Sequence, residues 1–318
     1  MMRRTPHERV GPIGLEFDER ELRAVQYARR GAGAEILGAV VLRREAQGVE
    51  SAGGAPSEAE LVRLRSVLDR RGFVGRDVAL AVPGERCAFH ILDLPPEESG
   101  APIEELALVE VRRTGAHRCE DIQIGSWVLD RGRFSTRFAC SVETGFVSDL
   151  ADSIERVGFV VTRVSPPGIA LLRAAVGHET LTPDAIHAIV GIGWASTRIV
   201  ISLGATPVYM RAADCGFSHG FTPSARQNLI GDLASRIDAA LAYVSQVHRT
   251  APFGAVLCSG YLADEDELLG TVASRVAMPT HALGRARQSE SLDAIEPPER
   301  RAVSRLDTAC GLALEFAA

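Results

Sequence analysis

Ile13-Gly14-Leu15-Glu16-Phe17, then Asp18-Glu19-Arg20, then Glu21-Leu22-Arg23-Ala24-Val25-Gln26-Tyr27-Ala28: these are two mostly apolar runs joined by three charged residues. Short alternating or apolar runs read as strands, and a brief polar break between two of them reads as a hairpin turn. A Gly-rich turn at 31–33 and a third run, 35–42, complete a three-stranded antiparallel meander. The plan returns later as a run at 185–192, a turn at Gly193-Trp194-Ala195, a run at 196–203, a turn at Gly204-Ala205 and a run at 206–211. In its middle run Ile199, Ile201 and Leu203 share one face, with Arg198, Val200 and Ser202 on the other.

Each meander leads into a helix and one more strand. After the first, Ser57 and Glu60 form a capping-box pattern, and Leu61, Leu64 and Leu68 recur at helical spacing over 57–71. Arg70-Arg71-Gly72 closes that helix, and a strand follows at 78–82. After the second comes a long helix over 224–247, striped by Leu229, Leu233, Ile237, Ala240, Leu241 and Val244, then a strand at 255–258. A unit that occurs twice predicts a duplicated α/β fold with its binding site between two lobes. Between the halves lie strand (87–92), helix (103–113), two strands (122–129 and 134–142) and helix (146–157), enough for an inserted α+β subdomain. Pro166-Pro167-Gly168 marks a hinge-like break before a helix at 169–176. Residues 288–301 read as a surface loop, and an apolar helix over 303–316 ends the chain.

The 318 residues are 46% hydrophobic and 24% charged, with net charge −6 and no lysine. Without lysine there is neither Schiff-base chemistry nor a phosphate-loop lysine. The arginines are spread along the chain, so no nucleic-acid footprint forms. No run is long and apolar enough for a membrane span, and residues 1–10 carry no signal-peptide core, so direct membrane insertion is not expected. Cys87, Cys119, Cys140, Cys215, Cys258 and Cys310 include no C-x-x-C pair and read as buried reduced thiols of a reducing compartment. His117 and Cys119 have no second pair, so no metal site is expected. There is no G-x-S-x-G and no H-E-x-x-H. Asp264-Glu265-Asp266-Glu267 opens a helix, where acids suit the dipole and need no chemistry.

An ordered set of segments resembles the PilM family of type IV pilus assembly proteins, relatives of the cell-division protein FtsA. It runs from Gly14-Leu15-Glu16-Phe17 through Val78-Ala79-Leu80-Ala81-Val82-Pro83-Gly84 and Asp93-Leu94-Pro95 to Pro166-Pro167-Gly168-Ile169-Ala170. It continues with Gly193, Ser196 and Thr197, the segment from Arg211 to Gly216, Ser259-Gly260-Tyr261, and Ala309-Cys310-Gly311-Leu312. The resemblance implies an actin-like (ribonuclease H-like, duplicated) two-lobed α/β fold. Its first lobe is 8–82 with 163–184 and 303–318, its insert 83–162, and its second lobe 185–302. It also implies a cytoplasmic protein, peripheral to the inner membrane, that docks on the cytoplasmic tail of a PilN-like single-span partner. Self-association is left open.

In such a cleft a triphosphate lies between the two hairpin turns, where small residues admit backbone N–H groups and carboxylates hold Mg²⁺. The first family turn is Leu-Asp-x-Gly-x-x-x. Here Glu16 keeps the acid, but Asp18 replaces the glycine and Glu19 follows, so carboxylates crowd the anion's place at about 1 kcal/mol or more each. The three acids read as a solvated hairpin tip. In the second turn Gly191 replaces the acid, Gly193, Ser196 and Thr197 remain, and Trp194 takes space a phosphate needs. Gly216, Ser259 and Gly260 complete the implied nucleotide cleft. No cofactor is expected, ATP with Mg²⁺ being what an intact cleft takes. The alternatives are an active ATPase or small-molecule kinase of this superfamily, or the cytoplasmic module of a type II secretion L-like protein.

Overall fold

The computed structural model describes residues 9–284 and 303–314, except 31–32, 45–53, 118, 120, 132–134 and 180. Two five-stranded sheets share one topology. In the first, β1 (Arg9–Phe17), β2 (Glu21–Arg30) and β3 (Gly33–Arg43) form the antiparallel meander. Strands β4 (Asp77–Ala81) and β8 (Val160–Ser165) extend it in parallel, in the order β3-β2-β1-β4-β8. In the second, β9 (Ile186–Ile192), β10 (Thr197–Leu203), β11 (Thr206–Ala213), β12 (Phe253–Gly260) and β13 (Thr280–Ala282) run β11-β10-β9-β12-β13. The order is the same in both: meander, then two parallel strands beside its first strand. This is the duplicated two-lobed α/β fold expected from the repeated meander.

Helix α1 (Glu58–Arg70) starts at the capping box: Ser57 Oγ accepts the Glu60 N–H, and Glu60 reaches back to the Ser57 N–H. Its Leu61, Leu64 and Leu68 are buried on the first sheet. Helix α5 (Pro223–Val247), capped by Thr222, and α6 (Asp266–Val276) cover the second. Between the lobes run α4 (Pro167–His178) and a helix closing the described chain, here α7 (Asp307–Leu314). They belong to one core with Val25 of the first lobe and Ile189 and Val200 of the second. The loop expected at 288–301 lies outside the described residues.

The insert has its own sheet: β5 (Ala88–Leu94), β6 (Ile122–Arg131) and β7 (Ser135–Glu143), ordered β5-β7-β6 and covered by α2 (Ile103–Arg113). From sequence, 144–162 falls in the insert as well. In the structure α3 (Thr144–Arg156) packs Leu150 and Ile154 into the core of the first lobe, and β8 begins at Val160. An apolar stripe at helical spacing says which face is buried, not which sheet buries it.

The crossing of α4 and α7 sets how close the lobes sit. A methyl group on Gly311 would overlap the carbonyl oxygen of Ala170, and one on Gly14 would overlap that of Ala309. Alanine gains about 1 kcal/mol over glycine in helix propensity. Overpacking of this kind costs roughly 3 kcal/mol, and backbone cannot swing aside as a long side chain would. Gly311→Ala is therefore expected to lower stability by about 2 kcal/mol in urea unfolding. A variant as stable as the parent chain would contradict this packing.

Candidate functional site

The hairpin register places Glu16 directly opposite Arg23 across β1 and β2. Asp18 Oδ1 accepts the backbone N–H groups of Arg20 (2.7 Å) and Glu21 (2.8 Å), which makes the turn. Its other oxygen meets the Arg23 guanidinium. Arg23 also contacts Glu16 (3.1 Å) and Glu21 (3.2 Å), so one buried guanidinium answers three carboxylates. The expectation of a solvated tip is overturned. Glu16 is 1% exposed and Asp18 9%, because the second lobe covers the turn. Glu19 is half-buried. Burial alone would raise the Asp18 pKa, but Arg23 and the two backbone N–H groups hold it below the usual carboxylate value.

From the second lobe Arg198 reaches across to Glu16 at 2.9 Å. Gly191 stands opposite Arg198 in the β9–β10 register. Where the family turn carries an acid, this chain has no side chain, and an arginine passes nearby. Arg305, just before α7, pairs with Glu21 at 2.5 Å. Its guanidinium lies 4.9 Å from the Tyr261 ring centre, with Arg23 at 5.9 Å. Arg20 stacks on Trp194 at 4.4 Å, a second bond between lobes. Trp194 packs in turn on Phe217 and Tyr261. Cation–π contacts strengthen as water is excluded.

The residues expected to form a nucleotide cleft do meet between the lobes. Glu16, Gly193, Ser259 and Gly260 line one slot, together with Arg23, Arg198, Tyr261 and Arg305. Asp18, Gly193, Ser196 and Trp194 line a second. These slots hold only about 10 and 20 Å³. Thr197 is buried and donates its hydroxyl to the Cys215 carbonyl (2.7 Å). Gly216 packs on the backbone of 194–196, and Ser259 donates to the Ser304 carbonyl. Burial pushes the pKa of Asp307, a neighbour of the cleft, well above the usual carboxylate value. Sequence reasoning missed Arg23, Arg198 and Arg305, the side chains that fill the site. Only Arg23 had a local signal, its place opposite Glu16 in the hairpin.

A larger space lies elsewhere. A groove of about 240 Å³ separates the first lobe from the insert. One wall is β6, with Gln123, Ile124, Gly125 and Trp127; the other is the end of β8, with Arg163, Val164 and Ser165. Val82 and Pro166, from the two segments that join insert to lobe, form its floor. Strands β6 and β8 are both outermost in their sheets.

No family model matches the sequence, and no curated protein is similar to it at a significant level. Solved structures are similar in fold. A PilM–PilN type IV pilus biogenesis complex superposes with a TM-score of 0.76 at 14% identity, over 97% of this chain and 99% of that one. The ethanolamine utilization protein EutJ from Carboxydothermus hydrogenoformans gives 0.52 at 12% identity, over 96% and 89%. The cytoplasmic domain of EpsL, from the type II secretion system of Vibrio cholerae, gives 0.47 at 14% identity, over 78% and 81%, a likeness too loose to carry argument. The fold is the actin-like one, and it resembles that of PilM over nearly the whole chain.

Proposed function

We propose that this chain is a cytoplasmic scaffold of a pilus-type or secretion-type assembly machine. It holds the cytoplasmic tail of a PilN-like single-span membrane protein in the groove between first lobe and insert, and it binds nucleotide weakly or not at all. The groove carries the reading. It is the roomiest of the spaces described above, and Val82 and Pro166, from the two segments that join insert to lobe, line it. The likeness to a structure containing both PilM and PilN supports the same reading. Among the described residues no helix is long and apolar enough to cross a membrane.

The groove's chemistry suits an extended peptide. Edge strands β6 and β8 offer backbone pairing to an added strand, and Trp127 and Val164 receive apolar side chains. Arg163 and Arg173 on its wall favour an acidic residue in the tail. The test is fluorescence polarization with labelled tails of single-span proteins encoded near this gene. Binding at tens of micromolar or tighter is expected. A β-carbon at Gly125 would first meet Trp127 at 3.8 Å, an ordinary contact, so leucine there fills the groove without forcing the backbone. Gly125→Leu is expected to weaken the tail at least about tenfold. Absence of binding by every tail, or binding indifferent to G125L, would sink the proposal.

A further inference from the structure

The insert's strand pairing brings two cysteines together inside the groove. Phe89 stands directly opposite Cys140 across β5 and β7. Cys87 precedes Phe89 by two residues and so shares its face of the sheet, diagonal to Cys140. Diagonal neighbours in an antiparallel pair lie within reach of long side chains. Both thiols line the groove, and an interaction with Cys87 is among the causes that raise the Cys140 pKa. Cys140 is buried in the middle strand, whereas Cys87 is half-buried. Cys87 also precedes the first paired residue of β5 and ends a one-turn 3-10 helix, 84–86. Its backbone lies outside the ladder, with its N–H bonded to the Gly84 carbonyl (3.2 Å), so a shift to the closer spacing that a disulfide requires breaks no strand pair.

The remaining cysteines are single. Cys215, Cys258 and Cys310 are buried, and burial raises Cys215 to about 11 and the other two to about 12. Cys119 is exposed, contrary to the buried reading. Thiol exchange runs through the thiolate and needs access. Cys87 is therefore the member a small disulfide reaches first. Cys140, which lines the groove beside it, is the resolving thiol: the interaction with Cys87 that contributes most to raising its pKa is lost once Cys87 carries glutathione.

We propose that Cys87 and Cys140 form a redox-active dithiol in the groove, which a low-molecular-weight disulfide such as oxidised glutathione converts to an intrachain disulfide. In the first step the Cys87 thiolate attacks one glutathione sulfur, the glutathione S–S bond breaks, and one glutathione thiolate leaves. In the second, Cys140 gives its proton to that thiolate and attacks the Cys87 sulfur, and the second glutathione departs. Two protein thiols are oxidised and one glutathione disulfide is reduced to two thiols. This chemistry does not depend on what the groove docks.

The experiment uses the full chain carrying Cys119→Ser, which removes the exposed thiol, incubated with oxidised glutathione, quenched in acid and read by intact mass and peptide mapping. The expected result is loss of two hydrogens and a Cys87–Cys140 cross-linked peptide, reversed by dithiothreitol. Cys140→Ser is expected to stall with one glutathione on Cys87, and Cys87→Ser to remain reduced at Cys140. A parent chain that stays reduced, or keeps glutathione on Cys87 without closing the ring, overturns the proposal. The stalled adduct in C140S is read by mass whether or not the cross-linked chain is stable.

Discussion

Arg23→Met is expected to lose about 4 kcal/mol of stability and to reverse the sign of the protein's acid response. Arg23 is buried among Glu16, Asp18 and Glu21. A buried ion pair is weak evidence of net stabilisation, since desolvation offsets its attraction. Removing one partner is a different matter, because the charges left behind stay buried without an answer. In the parent chain the Asp18 carboxyl titrates below its ordinary value. Its contribution is present above the unfolded pKa and is lost as pH falls through the lowered folded value. In R23M, burial without a cation raises that folded value instead. Stability is then fully present below the unfolded pKa and is lost as pH rises through the raised one. Urea unfolding between neutral and mildly acidic pH should therefore show R23M gaining stability on acidification. Asp18→Asn in the R23M background should recover part of the loss. An R23M chain as stable as the parent, or one with the parent's acid response, would remove Arg23 from this role.

The same hairpin shows what a sequence can and cannot display. A turn at 18–20 sets the register, and the register puts Glu16 across from Arg23; that much follows from period and turn length. The burial of the turn does not. It depends on Arg198 and Trp194, which are distant in sequence and meet the tip only once the lobes close. Local polarity therefore reads as solvated where tertiary packing supplies partners for Glu16 and Arg20. The duplicated meander was legible because each copy repeats the strand periodicity and turn chemistry. Helix α3 was legible as a helix over 146–157, yet a helical run carries no address, and its Leu150 and Ile154 turned to the first lobe. Cys87 and Cys140 lie far apart in sequence, and only the pairing of β5 with β7 makes them neighbours.

Titration calorimetry with Mg-ATP is expected to show no binding tighter than about 1 mM, at least a thousandfold weaker than a micromolar site and about 4 kcal/mol less favourable. Space is the first reason. The slots between the lobes hold about 10 and 20 Å³, whereas pockets for ligands of this size run to several hundred, roughly 300–1,000 Å³. Charge is the second. The carboxylates of Glu16 and Asp18 line these slots, and the nearby cations Arg23, Arg198 and Arg305 are already engaged with Glu16, Asp18 and Glu21. An entering triphosphate would have to take those arginines from buried carboxylates, which would then be left uncompensated at several kcal/mol. Opening the lobes does not relieve this, because it separates Arg198 from Glu16 and Arg20 from Trp194 while Arg23 stays with the acids on its own hairpin. The arginine network and Trp194 thus fill the space between the two hairpin turns and link the lobes, and a nucleotide is expected to find no room there. Nucleotide retained through purification, or a micromolar dissociation constant, would contradict that assignment. It would leave the groove between the first lobe and the insert, and the tail assay that tests it, untouched.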